Sequence, residues 1–230
     1  MLAATGWLLA SPVAADPQWL LRGLPGVYPE VVYFVPTDEP AIALTIDDGP
    51  DPETTPAILD VLQANGASAT FFLLSDAIAG NEELVRRIVA EGHELGHHMT
   101  ADEVSARLDD VTFETRFLQA HRVLESFGGA AWFRPGSGRY NDHMRELAER
   151  HGYRIALASV PPLDTVLDDP QRMAGLATWW AEPGSILVLH DRGDRGHRTA
   201  ATLELLLPRM ADAGLAVTTL GKLDKTAKNQ

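Results

Sequence analysis

The 230-residue chain has no cysteine. Thiolate catalysis, disulfide staples and Cys-ligated metal sites are therefore excluded, and a metal is expected on His, Asp or Glu. Basic residues are scarce, with 19 Lys and Arg against 32 Asp and Glu and a net charge of −13. No nucleic acid partner is expected, because neutralising phosphates takes a basic face. Aromatic residues make up only 7%, and no row of them marks a long sugar-binding groove. Trp179-Trp180 fall in a helical segment and read as core. Long apolar runs are also missing, so no stable membrane span is expected. Residues 1–15 form the one apolar stretch at an end, closing on Val13-Ala14-Ala15 in the manner of a secretory cleavage site. No basic residue precedes Arg22, so the positive start of a signal is lacking. Residues 1–40 are read as a leader and N-terminal extension, either a signal or anchor remnant or a disordered leader. An extracellular or cell-envelope location follows from the first of these.

What is present is an ordinary globular composition, 45% hydrophobic and 22% charged. Short apolar runs alternate with segments whose apolar residues recur three and four apart. Strands are expected at 41–46, 69–74, 94–96, 131–133, 153–158, 185–189 and 215–219. Helices are expected between them. The first is capped by Asp51 and opened by Pro52; Asn81 and Asn141 cap two others; further helices cover 112–127, 170–181 and 199–213. No linker or repeat divides residues 41–222, and residues 223–230 read as a polar tail. Strict βα alternation implies parallel strands with right-handed crossovers, in an open sheet or a closed barrel.

Reactive residues follow the strand ends: Asp47-Asp48-Gly49-Pro50, His97-His98, Arg134-Pro135-Gly136-Ser137-Gly138, Asp164 and His190-Asp191. In a parallel barrel those ends share one face, where barrel enzymes place their sites. Convergence therefore favours a barrel. Of the two adjacent carboxylates Asp47 and Asp48, one could hold a cation while the other acts as general base. His98 and Asp102 are four apart and would share one face of a helical turn, within reach of one ion. Asp48 is the natural third ligand. His97 in place of His98, and Glu103 in place of Asp102, stay open. His190, at the mouth of a buried strand, can serve as general acid. Arg134 can clamp a carboxylate.

In this order, these residues resemble the polysaccharide deacetylase family, the NodB-homology domain of carbohydrate esterase family 4. Thr45-Ile46-Asp47-Asp48-Gly49 matches its first motif, and Gly92-His93-Glu94-Leu95-Gly96-His97-His98 the context of its second. Arg134-Pro135-Gly136-Ser137-Gly138, Asp164 and the run into His190 stand at the third, fourth and fifth. The resemblance spans about residues 40–222. It implies a distorted (β/α)7 barrel of TIM type as a single α/β domain. It also implies one divalent metal ion held by Asp48, His98 and the position of Asp102: zinc, with manganese or cobalt as alternatives. Asp47 would be the base, oriented by Arg134. Ser137 would give a backbone oxyanion donor, and His190, tuned by Asp164, would protonate the leaving amine. Three positions depart from the family pattern. Asp102 replaces the second metal His, Ser137 replaces a Tyr, and Thr165 replaces a Trp. The acetyl pocket would then need other apolar walls, for which Leu163, Leu187 and Leu189 are candidates. The implied activity is removal of N-linked acetyl groups from N-acetylhexosamine polymers or oligomers, chitin-like or peptidoglycan, by a monomer. The alternatives are O-deacetylation of acetylated xylan and a catalytically weak glycan-binding relative.

Overall fold

A computed structural model describes residues 31–228 except Pro162. The leader 1–15 lies outside the described residues. Strand β1 is Val31–Val32, β2 Ala41–Asp47, β3 Thr70–Leu73, β4 Glu94–His97, β5 Trp132–Phe133, β6 Arg154–Ala156, β7 Ile186–His190 and β8 Ala216–Thr218. All seven expected strands are present, and β1 is an eighth inside the expected extension. The order is β1-β6-β5-β4-β3-β2-β7, every pair parallel. One edge of β2 carries β7, and the other carries β8 at its start and β3 at its end. The curled sheet approaches closure through an isolated bridge, Val160 to Leu187, and the Val35 amide donating to the Gly184 carbonyl at 2.9 Å. The distorted (β/α) barrel is thus the observed fold.

Strand parity decides what meets what. Residues of a strand alternate between faces. On β2, Ile42, Leu44 and Ile46 join the large core between sheet and helices, while Thr45 and Asp47 face the lumen. A second cluster within the sheet's curl contains Ala43, Phe72, Trp132, Ala156 and Ile186. The helices packed outside are α1 Thr55–Ala64, α2 Ser75–Ile78, α3 Glu82–Ala90, α4 Asp110–Glu125, α5 Asp142–Arg150, α6 Pro170–Trp180 and α7 Gly193–Asp212, while α8 Leu220–Lys228 packs Leu220 and Leu223 into the cluster within the curl.

Several local expectations shift. Asp51 accepts from the Glu53 and Thr54 amides and turns the chain before α1, whose cap position is Thr54. Asn141 caps α5 through the Met144 amide, whereas Asn81 donates to the Ala77 carbonyl instead of capping. α7 begins six residues before the expected 199, with the Gly193 amide donating to Asp51 at 3.2 Å. Trp179 is 60% exposed, contrary to the core reading, while Trp180 packs against the core. The polar tail is corrected most. Residues 220–228 form α8, with Leu220 and Leu223 buried and Asp224 bonded to Arg154 at 2.8 Å. Leu220 and Leu223, three residues apart, share one face of the helix and dock it.

A docked α8 makes a measurable demand. Leu223→Ala should lower unfolding free energy by about 2–4 kcal/mol, the usual range for a buried leucine truncation. Urea denaturation checks this, and a frayed tail would show no change.

Candidate active site

The reactive side chains converge at the C-terminal mouth of the strands, around a cavity of about 560 Å³. Arg134 follows β5 and is buried at 4% exposure. Its Nη1 donates to Asp47 Oδ1 at 2.6 Å and to Thr45 Oγ1 at 2.7 Å. Its Nε and Nη2 donate to the carbonyls of Ala156 and Leu157, and the guanidinium lies 4.1 Å from the Phe72 ring centroid. Burial pulls this guanidinium below its ordinary pKa, partly offset by Asp47. Its own carbonyl accepts from His98 Nδ1 at 2.7 Å.

That bond fixes the His98 tautomer. With Nδ1 carrying the proton, Nε2 presents its lone pair 3.5 Å from Asp48 Oδ1 and 3.9 Å from Asp47 Oδ2. Burial lowers the His98 pKa, but Asp47 and Asp48 outweigh it and raise it overall. The field that draws a proton to Nε2 would equally draw a metal cation. Burial pushes the Asp48 carboxyl up, while His98, His190 and Arg195 outweigh it and hold it below the usual carboxylate range. Both Asp48 oxygens are buried without a hydrogen-bond partner. A buried carboxylate with open lone pairs beside an imidazole lone pair fits a divalent cation.

The alternatives left open by the sequence lie away from the cavity. His97 belongs to the outer face. Its Nδ1 accepts from the Met99 amide, its Nε2 meets the Phe117 carbonyl at 3.0 Å, and its ring stacks on Phe117. Burial drives its pKa down to about 3. Glu103 is bonded to Arg116. The third expected ligand, Asp102, is not drawn in. Its side chain is 50% exposed and 3.8 Å from Arg195 Nη2, which also lies 3.4 Å from Asp48 Oδ2. Among the described residues no three His, Asp or Glu side chains are grouped to hold an ion.

On β7, the strand beside β2, His190 is the register partner of Asp47, and its Nδ1 meets the buried Asp164 carboxylate at 3.0 and 3.1 Å. Asp164 also accepts the His190 amide at 2.7 Å. Burial lowers the His190 pKa, but Asp164 and Asp47 outweigh it and raise it. Ser137 lines the cavity with φ of 60°, in a turn whose flanking amides are engaged by Ser105 and Pro135. Gly136 is required there, since a Cβ would stand 1.9 Å from the Glu103 carbonyl oxygen.

Leu189 is corrected. It is buried in the core between sheet and helices, as are Leu163 and Leu187. His190 faces the lumen, so parity puts Val188 on the same face and Leu189 behind it. The apolar walls of the cavity are Val188, Leu157, Pro135 and Tyr33, with Thr165 also lining it. The sequence reading missed Tyr33, Val188, Thr45 and Arg195. Parity counted back from His190 would have found Val188.

A parallel β/α barrel with a carboxylate–imidazole pair, an Arg-held carboxylate and an Asp-backed histidine at its mouth defines a hydrolase-type site. The polysaccharide deacetylase family model matches residues 34–156, and the chain belongs to that family. It is 33% identical to a peptidoglycan-N-acetylglucosamine deacetylase of Bacillus cereus over 196 residues, covering 84% of this chain and 92% of the relative. It is 32% identical to a chitooligosaccharide deacetylase of Sinorhizobium fredii, covering 80% of this chain and 92% of that one. The solved structure of the peptidoglycan deacetylase PdaC from Bacillus subtilis superposes with a TM-score of 0.76 at 26% identity, covering 84% of this chain and 93% of that one. The family is metal-dependent.

Behind the site, Asp191 accepts from Thr54 Oγ1 at 2.6 Å and from Thr55 Oγ1, and a Cβ on Gly49 would stand 2.8 Å from it. Burial raises its pKa to about 6, against the two hydroxyl bonds that lower it. A raised carboxyl pKa means the folded state binds more protons than the unfolded between about pH 4 and 6. Stability from this group is full below pH 4 and lost as pH rises through 6. Asp191→Asn should remove that slope. Above pH 6 the variant should gain on the parent by up to roughly 3 kcal/mol relative to their difference at pH 4. Urea midpoints across pH 4–7 check it.

Proposed function

We propose that this chain hydrolyses the acetamide of N-acetylhexosamine units in a glycan, peptidoglycan or a chitin-like oligomer, releasing acetate and a free amine. The observation that carries the reading is the convergence on one cavity, from register-paired ends of adjacent strands, of the Arg134-held Asp47 and the Asp164-backed His190. The peptidoglycan and chitooligosaccharide deacetylases among the relatives supply the substrate class. Action at the cell envelope goes with a peptidoglycan substrate.

Asp48 and His98 would hold one divalent ion, zinc, manganese or cobalt. When bound it polarises the acetamide carbonyl and acidifies water in the site. Asp47 is the general base. Arg134 occupies its Oδ1, leaving Oδ2 to take the proton of the attacking water. His190 is the general acid. Its Nδ1 proton is committed to Asp164, so Nε2 delivers the proton to the departing nitrogen. The raised pKa keeps that proton available near neutral pH. Ser137, between engaged amides, would offer its backbone N–H to the oxyanion. Val188 and Leu157 would receive the acetyl methyl group.

Acetate release from chito-oligomers and from purified peptidoglycan is the direct test, with acetylxylan as the ester comparison. Asp47→Asn and His190→Ala should each lower kcat by about 10²-fold or more with little change in KM. Undiminished acetate release by either variant, or no release from either N-acetylated substrate by the metal-supplemented parent, would overturn the assignment.

A further inference from the structure

Arg195 has no counterpart among the residues that the motifs single out, yet it touches two of them. It stands in the first turn of α7, whose start is fixed by the Gly193 amide on Asp51. From there its Nη2 reaches between Asp48 Oδ2 at 3.4 Å and Asp102 Oδ2 at 3.8 Å. Both distances exceed a hydrogen bond, and one nitrogen serves both carboxylates, so this is not the bidentate clamp that Arg makes when it is locked in place. Arg195 is one-third exposed, at 32%, while Asp48 is buried with both oxygens lacking hydrogen-bond partners. The contact balances charge without satisfying the carboxylate.

We infer that Arg195 is a resident counter-cation that a divalent metal must displace from Asp48, and that it holds Asp102 outside the ligand set until then. The inference rests on the reading of Asp48 and His98 as the metal-holding pair. A buried carboxylate is costly, so a chain without metal needs positive charge beside Asp48, which Arg195 supplies on the side away from His98. Guanidinium is suited to that because it does not lose its proton. For the same reason it cannot leave by titrating and must rotate away. Its exposure and long side chain make that rotation open to it, and its departure would also free Asp102. The site therefore has a metal-free arrangement with the Asp48–Arg195–Asp102 bridge and a loaded one without it. Metal affinity is set by the difference between them. A metal-free state stabilised by Arg195 weakens apparent binding in proportion to its population.

The test is Zn²⁺ affinity by calorimetry, with Co²⁺ visible absorption as a second readout, on the full chain freed of metal by chelation. Arg195→Gln should bind at least tenfold tighter than the parent. Arg195→Lys, which keeps a cation at the same place, should bind within about threefold of the parent, and circular dichroism should show both folded. Equal or weaker binding by Arg195→Gln would overturn the inference while leaving the Asp48–His98 pair standing. The pair is judged by a different variant: Asp48→Asn should lose binding, and parent-like affinity there would overturn both.

Discussion

The buried guanidinium of Arg134 is the constraint on which the site depends. Its four donor contacts reach Asp47 and Thr45 on β2 and the carbonyls of Ala156 and Leu157 at the end of β6, and its plane lies over Phe72 of β3. Its carbonyl orients His98 after β4. One residue thus registers the ends of four strands and fixes both the proposed base and a candidate metal ligand. A lysine could not do this, since it has no planar fork to reach two carbonyls, a hydroxyl and a carboxylate together. The pairing is also obligatory. Either charge alone at this depth would be uncompensated, and breaking such a pair costs about 3–5 kcal/mol.

The parallel sheet then distributes roles by parity. Thr45 and Asp47, Phe72, and Val188 and His190 are lumen positions of their strands, each two residues apart where a strand contributes a pair. Across β4, parity puts Gly96 and His98 on the lumen side and His97 on the outer side. Gly96 has no side chain because a Cβ would stand 2.5 Å from the Phe72 ring. His97 can then be a core residue stacked on Phe117 while its neighbour His98, one residue on, lines the cavity.

This explains what was legible in the sequence. Asp47, Asp48, His98, Arg134 and His190 stand out because polar residues interrupt apolar runs at strand ends, and a parallel barrel gathers those ends; Asp164, in the loop eight residues past β6, was reached through its place in the motif order. Leu189 was misplaced because Ile186-Leu187-Val188-Leu189 offers no polarity contrast, so its lining face is fixed only once His190 is placed. β1 spans two residues, too few for a periodic signal. Arg195 was hidden because Gly193-Asp194-Arg195-Gly196 reads as a loop. Its helical start comes from tertiary contacts, with the Gly193 amide on Asp51 and Gly196 packed so closely on Thr54 that a Cβ would stand 2.4 Å from its hydroxyl. Asp102 was read from its spacing to His98, but residues 101–103 form a bend and no helical turn brings the two together.

Among the described residues, the non-glycine positions with positive φ are Asp48 at 75°, Met99 at 71° and Ser137 at 60°. All three are in the site or adjoin it. Such conformations cost on the order of 1–3 kcal/mol each and persist only where surroundings overdetermine them. Here they are overdetermined. The Asp48 amide donates to the Phe72 carbonyl, the Met99 amide donates to His97 and its carbonyl accepts from Ser75, and Gly138 closes the Ser137 turn onto Pro135. The strain has a geometric result at Asp48. Reversing the backbone between adjacent aspartates separates two carboxylates that would otherwise compete for one environment. Asp47 goes to Arg134, and Asp48 goes to His98 and the open cavity. Adjacent like charges become two different chemical groups, one neutralised by a fixed cation and the other buried with its lone pairs unused.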